Sequence, residues 1–124
     1  MESSSAIKNK ILLVEDDLQL LQLLAEMLHE AGYRVTQASD GKKALQLLSN
    51  QNGGFDLLVS DIDLPEVNGI NLARNARRLA CPVILMSGKH NPEDLEDHSI
   101  HSAFLMKPFS SRELLSTIQQ ILGS

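Results

Sequence analysis

The chain has 124 residues, of which 43% are hydrophobic and 22% charged, the composition of one globular domain and not of a disordered segment. Eleven basic against sixteen acidic side chains leave a formal charge of −5, and the aromatics are only Tyr33, Phe55, Phe104 and Phe109, so neither phosphate backbones nor stacked bases are expected partners. The one cysteine, Cys81, excludes an internal disulfide and fits a reduced, cytoplasmic setting.

No apolar run approaches the ~20 residues that cross a bilayer, and no membrane contact is expected of this segment. Met1-Glu2-Ser3-Ser4-Ser5-Ala6 is polar and lacks the basic stretch and apolar core of a signal peptide. Residues 1–9 are expected as a flexible segment or linker, and 10–124 as the domain.

In chain order, Ile11-Leu12-Leu13-Val14 is a continuous aliphatic run, the pattern of a strand buried on both faces. Leucines recur at helical spacing from Leu18 to Ala31, and Gly32 stops that helix. Tyr33 to Thr36 alternates and reads as a second strand. Asp40-Gly41 opens a second helix through Ala44, Leu45, Leu47 and Leu48, ended by the polar turn 50–54. Phe55 to Ser60 is the third strand, Gly69 to Leu79 the third helix, Pro82 to Met86 the fourth strand and Ala103 to Met106 the fifth. Ser110 and Glu113 form a capping box that opens a last helix to Leu122.

Alternating strands and helices imply a doubly wound α/β domain, a parallel sheet covered on both faces. In such folds the functional crevice lies at the carboxyl ends of the strands. The first strand runs into Glu15-Asp16-Asp17, the third into Asp61-Ile62-Asp63, the fourth into Ser87-Gly88 and the fifth into Lys107-Pro108. If these ends open onto one pocket, up to five carboxylates meet a hydroxyl and an ammonium there. Crowded carboxylates resist ionising together, and a hard divalent cation such as Mg2+ relieves the repulsion. Each acidic cluster also has a bland reading as a solvated loop or a helix cap, which for Asp17 is as good as the other. Glycine-rich phosphate loops, a Gly-x-Ser-x-Gly elbow and Cys-x-x-Cys pairs are absent. His98 and His101 have the spacing to share a helix face as metal ligands, although scattered surface histidines account for them more simply.

Together, Val14-Glu15-Asp16-Asp17, Asp61 to Gly69, Met86-Ser87-Gly88 and Phe104 to Phe109 resemble the receiver domain of two-component response regulators. The resemblance runs from Lys10 to Leu122. It implies a flavodoxin-like five-stranded sheet of order 2-1-3-4-5 and a phosphoacceptor at Asp61, charged by the phosphohistidine of a histidine kinase or histidine phosphotransfer protein. It further implies Asp16 as a direct Mg2+ ligand, Glu15 as one acting through water, and the Asp63 backbone carbonyl as a third. Lys107 would pair with the phosphoryl oxygens, Ser87 would move to meet them, and Phe104 would follow as the switch aromatic, with Lys107-Pro108 cis. Such a domain is no enzyme beyond its own phosphorylation and dephosphorylation, and its downstream effector is unknown.

Two departures from the family pattern stand out. Asp63 and Lys89 place charged side chains two residues after the acceptor and after Ser87, where they are expected to flank the phosphoryl group and tune its lifetime. The stretch from Lys89 to Ser102 carries only Leu95 and Ile100 as an apolar stripe, so a fourth helix starting at Asn91-Pro92-Glu93 should be short or shifted. This shortened form is similar to receivers attached to hybrid sensor kinases. Two rivals remain open. One is a receiver-like binding module that works without phosphorylation. The other is an Asp-x-Asp phosphatase, disfavoured because Pro65 stands where a Thr or Val belongs and the motif lies on the third strand.

Overall fold

The computed structural model describes residues 9–50 and 54–123. The expected linker, apart from Asn9, and the middle of the expected turn, 51–53, lie outside them.

Five strands, β1 (Lys10–Val14), β2 (Arg34–Ala38), β3 (Leu57–Asp61), β4 (Val83–Ser87) and β5 (Ala103–Met106), pair in parallel in the order β2-β1-β3-β4-β5. Four helices, α1 (Leu18–Glu30), α2 (Gly41–Ser49), α3 (Gly69–Arg78) and α4 (Ser111–Leu122), cover its two faces. The doubly wound architecture and the strand order are those expected.

Successive strand residues point to opposite faces, so each buried strand feeds two cores. Ile11, Leu13, Leu57, Val59, Ile84 and Met86 pack against Leu21, Leu24 and Leu28 of α1 and Leu114 and Ile118 of α4. Leu12, Val14, Leu58, Val83 and Leu85 face Ala44 and Leu48 of α2 and Leu72, Ala73 and Ala76 of α3. Each fully buried leucine contributes roughly 1.5–3 kcal/mol of hydrophobic stabilisation. Asp17, Asp40, Asn68 and Ser110 accept backbone N–H bonds at the starts of the four helices, and the Ser110–Glu113 capping box forms.

Three strands sit a residue or two later than the sequence pattern suggests. Tyr33 donates its N–H to the Leu28 carbonyl at the end of α1, which makes it part of the turn, and β2 starts at Arg34 instead. β3 and β4 continue through Asp61 and Ser87 because the ladder carries on past the aliphatic runs, pairing Asp61 with Met86 and Ser87 with Met106. Between β4 and β5 there is no α-helix. Two 3-10 turns, Pro92–Asp94 and His98–Ile100, bury Leu95 and Ile100, and two apolar residues five apart cannot supply the stripe a longer helix needs.

Candidate functional site

Parallel strands end together, and here the ends carry charge. Glu15 and Asp16 follow β1, Asp61 closes β3, Ser87 closes β4, and Lys107 follows β5 just before a cis Lys107-Pro108 bond. Oxygens of Glu15, Asp16 and Asp61 all lie within 4.8 Å of one another. Lys107 Nζ donates to Glu15 Oε1 at 2.7 Å and to Asp61 Oδ2 at 3.3 Å. Glu15 and Asp61 are only 1% and 6% exposed, whereas Asp16 faces solvent.

Burial pushes the Asp61 carboxyl above its ordinary range, and the Lys107 ammonium only partly opposes it. Glu15 is raised for the same reason, against its bonds from Lys107 and the Asp17 N–H. Burial alone would lower Lys107, but its hydrogen bond to Glu15 and the charges of Asp61 and Glu15 outweigh this and raise it. Three carboxylates thus face one ammonium. The donor set is all oxygen with surplus negative charge, which suits a hard divalent cation and no soft one.

The other expected residues divide. Asp17 does not join the cluster: its carboxylate caps α1, accepting from the N–H groups of Gln19 and Leu20. Asp63 sends its N–H to Asp61 Oδ1 at 3.3 Å, but its own carboxylate turns to His90, with Nε2 at 3.1 Å. The expected gathering of five carboxylates is therefore a gathering of three. Ser87 is fully buried, and its Oγ accepts from the N–H groups of Lys89 (3.0 Å) and His90 (2.9 Å). The Lys89 side chain is exposed. Phe104 is half-buried with the His101 ring at its edge, centroids 5.8 Å apart at 75°. His98 and His101 lie 6.4 Å apart but join no third metal-ligating group among the described residues.

Three features escape a reading of residue types. Gly69 has no room for a side chain, since a Cβ there would sit 2.2 Å from the Asp61 carbonyl oxygen, and one on Gly41 would sit 1.7 Å from the Val67 oxygen. The two glycines let α2 and α3 close on the loop that follows Asp61, which is also fixed by Ile62 N–H to Met86 and Gly69 N–H to Ile62 (both 2.9 Å). His90, a residue that no motif in the sequence singles out, reaches Asp63 across 27 residues. Finally, Leu20, Leu23, Leu24 and Met27 of α1 line an apolar groove of about 610 Å³ with Pro108 and Phe109, beside Lys107. Leu18 and Leu23 are 66% and 61% exposed. Both fall off the Leu21-Leu24-Leu28 stripe, which is the signal that could have disclosed them.

Comparisons with known proteins bear on this geometry. A family model described as the response regulator receiver domain matches residues 11–119. The chain is 39% identical over 117 residues to the transcriptional regulatory protein CpxR of Escherichia coli, covering 92% of this chain and 49% of CpxR. It is 32% identical over 118 residues to the two-component response regulator ARR12 of Arabidopsis thaliana, covering 93% of this chain and 20% of ARR12. The chain thus spans half or less of these curated relatives. The receiver domain of sensor histidine kinase PA1611 from Pseudomonas aeruginosa, solved with magnesium in its active site cleft, superposes with a TM-score of 0.81 at 30% identity, covering 95% of this chain and all of that one. The response regulator TrrA of Thermotoga maritima, in complex with Mg(2+)-BeF, gives 0.81 at 26% identity over 91% of this chain and 98% of TrrA. Among the described residues, no helix is long and apolar enough to cross a membrane.

Proposed function

The chain belongs to the family of response regulator receiver domains, and from that premise we propose that it accepts a phosphoryl group on Asp61 from the phosphohistidine of a histidine kinase or histidine phosphotransfer protein. An Asp61 carboxylate oxygen attacks phosphorus, the O–P bond of an acyl phosphate forms, the N–P bond breaks, and the departing imidazole nitrogen takes a proton from solvent. Such transfer asks little covalent chemistry of the protein and much positioning and charge neutralisation. The observation that carries the reading is the Lys107 ammonium held between Glu15 and Asp61 at 2.7 and 3.3 Å, beside a third carboxylate. A chain that worked without phosphorylation would have no need of this complete set.

Asp16 and Asp61 would hold Mg2+ directly, with the Asp63 backbone carbonyl, and Glu15 through water. When bound, the cation neutralises the phosphoryl oxygens that the carboxylates would otherwise repel. Lys107 exchanges a carboxylate oxygen for a phosphoryl oxygen. Ser87 turns its O–H to the new group, and Phe104 moves into the space released, a two-state change biased by about −1.5 to −2 units of added charge. Asp63 and Lys89 flank the group and set its lifetime, so Asp63→Asn should alter the half-life of the acyl phosphate, and equal half-lives would remove that role. The incoming histidine reaches Asp61 past the exposed leucines of α1 and the Pro108–Phe109 rim, the apolar surface beside the site.

Receiver domains are usually non-catalytic signalling modules, and this one acts on nothing but its own phosphoryl group. It works in the cytoplasm, passing its state to a downstream effector. Incubation with acetyl phosphate and Mg2+ should add a single phosphoryl group, located by mass spectrometry to Asp61 and lost in Asp61→Asn. Sustained turnover of a phosphomonoester, or modification elsewhere, would overturn the assignment.

A further inference from the structure

A run of hydrogen bonds joins the acceptor carboxylate to the switch hydroxyl without passing through Lys107. Asp63 N–H donates to Asp61 Oδ1, the Asp63 carboxylate meets His90 Nε2 at 3.1 Å, and His90 N–H donates to Ser87 Oγ at 2.9 Å. A carboxylate only accepts, so the Nε2 atom that faces it carries the proton. Lys89 N–H fills the second lone pair of the same Ser87 oxygen at 3.0 Å. Ser87 therefore has its accepting capacity spent on the backbone of its own loop. Swinging Oγ toward a new group on Asp61 breaks both bonds.

The His90 side chain adds a tether to that arrangement. It fastens the loop after β4 to the loop after β3, and so holds the Lys89 and His90 N–H groups where Ser87 finds them. The pair is weak by construction, with side chains 41% and 36% exposed. A weak tether fits a part that must open. An arriving phosphoryl group competes for the Asp63 N–H and repels the Asp63 carboxylate, so the event that attracts Ser87 also loosens the tether.

We propose that the His90–Asp63 pair is a latch holding the Ser87 loop in its resting arrangement, and that it lowers the fraction of unphosphorylated protein in the active one. His90 is a positioning residue in this scheme and never touches the phosphoryl group. The proposal rests on the receiver reading above, and goes beyond it by naming what resists the switch.

Beryllofluoride in the presence of Mg2+ is the probe, its binding followed by fluorine NMR on the whole chain. Removing the latch in His90→Ala should tighten beryllofluoride binding about two- to five-fold, the scale of a partly exposed side-chain hydrogen bond. His90→Gln, whose amide N–H still reaches the carboxylate, should return most of the wild-type affinity. In an Asp63→Ala background the His90→Ala shift should vanish. Affinity for Mg2+ alone should stay the same in His90→Ala, which separates an opened latch from a damaged metal site. Unchanged or weaker beryllofluoride binding by His90→Ala, or a shift that persists without Asp63, overturns the latch while leaving the receiver reading standing. Failure of the wild-type chain to bind beryllofluoride at all overturns that reading and the latch with it.

Discussion

Between β3 and α3 the chain turns through residues 62–68 with its backbone pressed against two helices, although Pro65, Glu66 and Asn68 face solvent, while between β4 and β5 residues 88–102 are attached at few points. The first connection meets the backbone of α3 and α2 so closely that only glycine fits at positions 69 and 41. The second buries Leu95 and Ile100 and is otherwise held mainly by local turns, the bonds between Ser102 and Val83, and the His90–Asp63 pair. Gly88, at its start, has its nearest neighbour for a Cβ at 3.7 Å, an ordinary contact. Under the proposed function, an acceptor must stay where Lys107 and the acidic cluster can meet it, and a responder must change position. The two connections distribute stiffness accordingly.

Adding one methyl group to each connection tests this most severely. Gly69→Ala drives a Cβ into the Asp61 carbonyl and should cost at least about 3 kcal/mol in urea unfolding, the upper range for overpacking. Gly88→Ala should stay within about 0.5 kcal/mol. Similar costs at the two sites would break the contrast. Next in size is the cation. If the cluster holds Mg2+ as proposed, magnesium at about 100 times its dissociation constant should add about 2.7 kcal/mol of stability, since only the folded chain brings the three carboxylates together, and Asp16→Asn should lose most of that gain. Without metal, Asp61→Asn should itself raise the midpoint, by less than magnesium does. The sign follows from burial, which raises the folded pKa of Asp61. The folded chain then holds that proton more tightly than the unfolded one, so the ionised carboxylate at neutral pH costs stability. A lower midpoint in Asp61→Asn would mean that Lys107 more than compensates for burial.

Much of this was legible beforehand because the buried strands are nearly pure aliphatic runs and their ends are charged. Val14 to Asp16, Val59 to Asp61 and Met106-Lys107 each switch from apolar to ionisable within a residue or two, which marks both the strand end and the crevice. What escaped depends on partners distant in sequence. Nothing local says that Gly69 abuts the Asp61 carbonyl, whereas the cap that Asp17 makes on two N–H groups of α1 is local and was one of its two open readings. Nothing within 27 residues of Asp63 identifies His90 as its neighbour. Polar residues at Asp61 and Ser87 read as loop in the sequence, whereas ladder pairing with Met86 and Met106 keeps them in the sheet.

The smallest expected effect belongs to the loosely held connection itself. His101 sits there with its ring edge on Phe104 and its Nδ1 buried without a hydrogen-bond partner among the described residues. Burial first, and the neighbouring His98 second, hold its pKa below the usual histidine value. The folded chain therefore binds this proton more weakly than the unfolded chain. Its contribution is complete above the ordinary histidine pKa of about 6.5 and is lost as pH falls through that value toward the depressed one. Glu15 and Asp61, with raised folded values, respond in the opposite sense on acidification, so the wild-type profile alone mixes the two. His101→Leu keeps an apolar contact for Phe104 and removes the titration. Thermal midpoints measured from pH 7.5 to 5.5 should fall more for wild type than for His101→Leu. Parallel profiles would show that protonation of His101 is relieved by solvent, and that the Phe104 side of this connection is open even at rest.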